Sequence, residues 1–138
     1  MARVKLDQDM LGLSTIFERL SRARVKDCFK FEDTIYFVVA QGEMGKAVGK
    51  KGVTIKRIQN ELGKKIRVIE FRDNVKDFVR NVIYPIKVEE VVEEEGNIVL
   101  RDNNRKTKSL IIGRDGKNLS LLNRAVKRFF PVEEVKVV

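Results

Sequence analysis

The chain has 138 residues, 43% of them apolar, and only two prolines. That composition argues for folded protein throughout, in one core or two small ones, because a disordered chain lacks the apolar surface that offsets ordering entropy. A formal net charge of +9 makes a polyanion the expected partner, with a merely basic solvated surface as the alternative. One cysteine and no histidine exclude an intramolecular disulfide, a cysteine-based zinc site and the commonest general base.

No apolar run is long enough to span a membrane and no signal-peptide core opens the chain, so a cytoplasmic protein without membrane contact is expected. No metal site, cofactor or catalytic residue is indicated, and an enzyme is not expected. The excess charge is uneven. Residues 1–71 carry 15 basic against 9 acidic side chains, or +6, and residues 72–138 carry 14 against 11, or +3. The first half should therefore be the stronger anion binder.

In chain order, a helix comes first, with Asp7 or Asp9 as its cap and Met10, Leu13, Ile16, Phe17 and Leu20 on one core-facing stripe. Val25–Phe31 and Thr34–Gln41 read as strands around the turn Glu32-Asp33. Their aromatics fit an inward-facing core better than base-stacking platforms, and Cys28 reads as a small hydrophobe. A short apolar segment, Met44, Ala47 and Val48, comes next among glycines, and Ile55, Ile58 and Leu62 then mark a helix ending at Gly63.

Between those segments lies Val48-Gly49-Lys50-Lys51-Gly52-Val53. A bare G-x-x-G is weak, since nine glycines in this length supply roughly half an instance by chance. The residues around it give it meaning: glycine lets backbone approach a sugar-phosphate chain, a following helix start offers N–H donors, and Lys50 and Lys51 add cations. A plain helix-turn-helix corner remains the alternative for this copy taken alone.

Lys65–Phe71 reads as a third strand. Ile66 and Val68 lie on one face and Ile69 and Phe71 on the other, so the second face is expected to be covered at the junction with the second half of the chain. Asp73 and Asn74 open a helix that stops at Tyr84-Pro85. Strands are expected at Ile86–Val92 and Asn97–Arg101 around the acidic turn Glu93-Glu94-Glu95-Gly96-Asn97, which would repel phosphate and mark a solvated edge. A short helix is expected at Arg105–Ile112, capped by Asp102 or Asn103. Gly113-Arg114-Asp115-Gly116 then opens a helix with Leu119, Leu122, Val126 and Phe129 on one stripe, Pro131 ends it, and Val132–Val138 closes the chain as a strand.

One offset of 64 residues carries Gly49 onto Gly113, Gly52 onto Gly116, Ile55 onto Leu119, Ile58 onto Leu122 and Leu62 onto Val126. Both halves also give helix, strand, strand, short helix, glycine turn, helix, strand. A chance G-x-x-G does not bring a whole module with it.

In that order, and in the aliphatic-Gly-x-x-Gly-x-x-aliphatic segments Val48–Ile55 and Ile112–Leu119, the chain resembles two KH domains of the prokaryotic type, whose G-x-x-G loop clamps an RNA backbone. More narrowly, the near absence of a linker and the phrases Val48–Gly63 and Leu110–Leu119 are similar to the KH pair of the NusA family of transcription factors, in its short archaeal form. The resemblance implies an α+β fold of two tandem type II KH domains, each a three-stranded mixed sheet covered by helices on one face, over residues 1–72 and 73–138. It implies single-stranded RNA as ligand, RNA polymerase as a further partner and a role in transcript elongation or termination; a monomer is expected.

Carried onto this sequence, Gly49 and Gly52 would hold the phosphate-facing turn while Lys50 and Lys51 engage phosphates. Lys46, Lys56 and Arg57 extend the positive rim, and Val48, Val53 and Ile55 form an apolar floor for bases. Gly113, Arg114, Asp115, Gly116 and Lys117 take the matching places in the second copy, where the Asp115 carboxylate makes a weaker phosphate binder. A ribosome-associated or RNA-processing role stays open, as does a protein scaffold presenting these turns to a partner.

Overall fold

The computed structural model describes residues 2–138, with side chains described from residue 10 onward. It divides into two compact units, Met1–Phe71 and Arg72–Val138. In the first, α1 (Ala2–Ser21) leads into β1 (Val25–Phe31) and β2 (Thr34–Val39), then α2 (Met44–Val48), a single 3-10 turn (Lys50–Gly52), α3 (Val53–Leu62) and β3 (Lys65–Glu70). In the second, α4 (Val75–Ile83), β4 (Glu90–Glu94), β5 (Asn97–Arg101), α5 (Arg105–Ile112), a 3-10 turn (Arg114–Gly116), α6 (Lys117–Phe129) and β6 (Val135–Val137) repeat that order.

Each unit is built on a mixed three-stranded sheet, so the architecture is α+β. β1 and β2 pair antiparallel and β2 and β3 parallel, and β4, β5 and β6 repeat the scheme. The parallel step needs a crossover in each unit. α2 and α3 supply it in the first unit and α5 and α6 in the second, so each glycine turn sits between two helices that cross over one sheet.

Period-two alternation decides which side chains meet the helices. Ile35, Phe37 and Val39 of β2 share a core with Phe17, Cys28, Ala47, Ile58 and Ile66, and the Phe17 and Phe37 rings stack at 4.2 Å. Cys28 is thus a core residue, with its thiol 3.7 Å from Met10 Sδ. On the reverse face Phe29, Tyr36, Val38 and Ile69 are buried too, with the first two rings stacked at 5.3 Å. The burial of Tyr36 holds its hydroxyl above the usual phenol pKa. In the second unit Phe78, Ile98, Leu100, Ile111 and Leu122 are fully buried, and Phe78 meets Phe129 edge-on at 5.5 Å, fixing α4 against α6.

Several expected boundaries move, each for a local reason. α1 starts at Ala2, so Asp7 and Asp9 fall inside it, and their side chains lie outside the described residues. The second and third strands stop at Val39 and Glu70. The strand expected at Ile86–Val92 begins only at Glu90, because the preceding backbone bonds to side chains: the Arg80 guanidinium donates to Val88 O at 2.9 Å, and Glu89 N donates to Asp102 Oδ2 at 3.0 Å. Asp102 is therefore not the cap of α5, and neither is Asn103. Asn104 fills that place, its Oδ1 accepting from Thr107 N. The last strand shortens to Val135–Val137, where Asn123 both accepts from Val135 N and donates to Val135 O.

Candidate nucleic-acid interface

The two glycine turns have one backbone. Gly49 has φ 77 and ψ 171 against 76 and 171 for Gly113; Lys51 has 56 and 27 against 57 and 23 for Asp115; Gly52 has 76 and 16 against 74 and 13 for Gly116. The hydrogen bonds match as well. Gly52 N donates to Gly49 O and Gly116 N to Gly113 O, each at 3.1 Å, while Gly49 N and Gly113 N close α2 and α5 at 2.9 Å.

The two glycines of each turn are needed for different reasons. A Cβ at Gly49 would stand 2.8 Å from both Cβ and N of Thr54 and closer still to its hydroxyl; one at Gly113 would stand 2.7 Å from Asn118 Cγ. Both glycines also occupy a region essentially closed to other residues. A Cβ at Gly52 would make only ordinary contact, with Ile55 Cγ2 at 3.8 Å, and one at Gly116 would meet nothing within 4 Å, so left-handed φ alone holds both to glycine. Thr54 and Asn118 thus complete the turns from the next helix, Asn118 Nδ2 also donating to Leu110 O at 3.0 Å. The offset of 64 pairs these two residues, the signal by which the sequence marks them.

Lys51 and Asp115 are themselves left-handed, which changes the meaning of the acidic residue. Aspartate is among the non-glycine residues that tolerate this region best, so Asp115 suits the turn conformationally even as it lowers its charge.

Asn74 caps α4 through Lys76 N and Asp77 N, and Asn104 caps α5, but α3 and α6 begin on Gly52 and Gly116 with no side-chain cap, as the short α2 does on Glu43. The 3-10 turn itself takes the first N–H of each of these helices, Val53 N donating to Lys50 O and Lys117 N to Arg114 O, while no capping side chain covers the positive end of the helix dipole.

Around the first turn Lys46, Lys50, Lys51, Lys56 and Arg57 are all exposed. Lys46 is shared with Glu43 at 3.3 Å, and Glu43 also accepts from Arg24 N; that backbone N–H first, and Lys46 second, hold its carboxyl below the usual range. Val53, 61% exposed, is the outward apolar residue, whereas Ile55 packs against the core and Val48 is half-buried. Val53, Lys56 and Arg57 line a shallow groove along α3 with Asn60 and Glu61, two polar residues that sequence reasoning passed over. Around the second turn Arg114, Asp115 and Lys117 are exposed, and the offset replaces Lys46, Lys56 and Arg57 with Leu110, Ser120 and Leu121. The first turn thus carries five cations, and the second two cations and a carboxylate.

Comparison with known proteins matches the KH domain family over residues 14–96, beginning within α1 and ending at the β4–β5 hairpin. The probable transcription termination protein NusA of Methanocaldococcus jannaschii is 30% identical over 141 residues, covering 100% of this chain and 77% of that protein. The protein of the same description from Methanococcus vannielii is 34% identical over 139 residues, covering 99% of this chain and 80% of that protein. The crystal structure of APE1850 is similar with a TM-score of 0.79 and 28% identity, over 95% of this chain and 99% of that one.

Proposed function

Because the chain belongs to the KH domain family, and within it to the archaeal NusA proteins, we propose that it is a transcription factor that grips single-stranded RNA with its two glycine turns. Each unit is read as one type II KH domain, over residues 1–72 and 73–138, and the protein as a cytoplasmic monomer that acts in elongation or termination. Among the described residues no helix is long and apolar enough to cross a membrane.

One observation carries the reading. Two turns of unrelated side-chain charge hold dihedral angles within 4° of each other, each at an uncapped helix start. A corner serving only chain reversal has no need to set the positive end of a helix dipole beside exposed cations, Lys50 and Lys51 at one turn and Arg114 and Lys117 at the other. In the first turn Gly49 and Gly52 shape the backbone, Lys50 and Lys51 bind phosphate oxygens, Lys46, Lys56 and Arg57 widen the field, and Val53 with the rim of Val48 and Ile55 receives base faces. In the second, Gly113, Arg114, Gly116 and Lys117 repeat this more weakly beside Asp115.

The test is anisotropy of a labelled single-stranded RNA against DNA and duplex RNA, for the wild type and for Lys50→Asp with Lys51→Asp. A large loss is expected at the first turn, a smaller one from Arg114→Asp, and a salt slope of about −0.7 per phosphate contacted. Unchanged binding in the double variant would refute the site. Contact with RNA polymerase, which the family supports, is tested by titrating purified polymerase against the labelled protein.

A further inference from the structure

We propose that the hairpin end of the second unit is a docking groove for a basic protein segment carrying an aliphatic anchor, independent of how the glycine turns bind RNA. The β4–β5 hairpin turns at Glu95 and Gly96, and Glu133 N donates to Gly96 O at 2.8 Å, bringing the chain after α6 alongside. Between them lies a groove lined by Ile98, Phe130 and Val132, buried or half-buried and taken as its floor, and by the exposed Asp73 and Glu93 with Asn97, taken as its rim.

The electrostatics single this end out. The second unit has 11 acidic residues, and six of them, Asp73, Glu93, Glu94, Glu95, Glu133 and Glu134, belong to this groove and the segments beside it. Glu94 is matched by Arg101 and Glu134 by Lys127 at 3.7 Å. Asp73, Glu93, Glu95 and Glu133 pair with no cation among the described residues, in a chain of net charge +9. Carboxylates that merely guard a sheet edge against aggregation need no apolar floor beside them. The corresponding turn of the first unit is built differently: Asp33 pairs with Lys65 at 3.0 Å, and Lys64 adds a further cation.

The occupant follows from this chemistry. Phosphate is repelled, so nucleic acid does not fit. Among the described residues no group of three ligating side chains could hold a metal ion. A lysine- or arginine-rich peptide with a leucine-like side chain satisfies both rim and floor. The groove is also remote from the RNA turn. Gly116 caps one end of α6 and Phe130 the other, and 13 residues at the helical rise span about 20 Å. That exceeds the Debye length of about 8 Å at physiological salt, so a peptide seated here leaves the field at Arg114 and Lys117 in place.

The probe is a fluorescein-labelled peptide Lys-Lys-Leu-Lys-Arg, titrated by anisotropy with the intact protein, beside versions with serine for leucine and with glutamate for every cation. Saturable binding is expected for the leucine peptide only. It should weaken about three- to tenfold in Asp73→Asn with Glu93→Gln, both exposed positions whose neutralisation leaves the core intact, while RNA affinity stays unchanged. Glu95→Gln should weaken it less. Equal binding of the serine peptide, equal binding by the double variant, or no saturable binding overturns the proposal. So does a rise in RNA affinity matching the peptide's loss, which would make this face a guard against RNA instead.

Discussion

Replacing the two glycines of a turn with alanine, one at a time, separates collision from backbone preference. At Gly52 the nearest atom to an added Cβ is Ile55 Cγ2 at 3.8 Å, so Gly52→Ala meets only the left-handed cost of about 1–2 kcal/mol. At Gly49 the backbone angle alone costs about 1–3 kcal/mol. The overlap with Thr54 adds about 1–3 kcal/mol of overpacking, because its backbone N, 2.8 Å away, cannot swing aside. Gly49→Ala should thus cost about 2–6 kcal/mol, and at mid-range the pair should differ by about 2.5 kcal/mol in urea denaturation. The second turn should show the same order for Gly113→Ala and Gly116→Ala. There the three closest atoms all belong to the Asn118 side chain, so Asn118→Ala should recover part of the Gly113→Ala loss. Thr54→Ala should recover less for Gly49→Ala. If alanine is tolerated at Gly49 as well as at Gly52, the close approach of Thr54 is not what fixes the turn.

Removing the caps should be felt at α4 and α5: Asn74→Ala and Asn104→Ala each cost about 1 kcal/mol by denaturant titration, Asn74 the more because its Oδ1 accepts from two N–H groups. Asp115→Asn keeps a side chain suited to left-handed backbone but removes the charge, so fluorescence titration should show tighter RNA binding with little change in thermal midpoint. Glu43 gives an acid dependence. Its folded pKa lies below the ordinary 4.5, so its contribution is fully present above that value and lost as pH falls through the folded pKa. Urea midpoints taken from pH 7 to pH 3 should fall, and Glu43→Gln should make the decline shallower. An identical decline in the variant would remove Glu43 from the account.

What the sequence revealed, and what it hid, divides by the range of the interactions. The offset joining Gly49 to Gly113 was legible because it repeats residue types, and the stripe of Ile55, Ile58 and Leu62 because a helix imposes its own period. The segment before β4 was misread as strand because its partners lie far along the chain: Asp102 reaches Glu89 across 13 residues. Arg80 claims Val88 O from the helix before it. Asp102, one of the two expected caps of α5, is engaged instead by Glu89 N across the chain and by Asn104 N close by. The positive φ at Lys51 and Asp115 left no trace in composition. Asp115 consequently read as an electrostatic departure alone, without the conformational reason the backbone supplies. Ile55 read as floor for a ligand, although its own core claims much of its surface.

The shared backbone of the two turns has a consequence for how such proteins can diverge. Glycines on either side hold the third turn position in its conformation, and the side chain there takes no part in the turn's own hydrogen bonds, Gly52 to Gly49 and Gly116 to Gly113. Lysine and aspartate occupy it with φ angles 1° apart. Its charge can therefore be exchanged while the fold is left alone, so the two turns can diverge electrostatically on one backbone without having to be refolded for either.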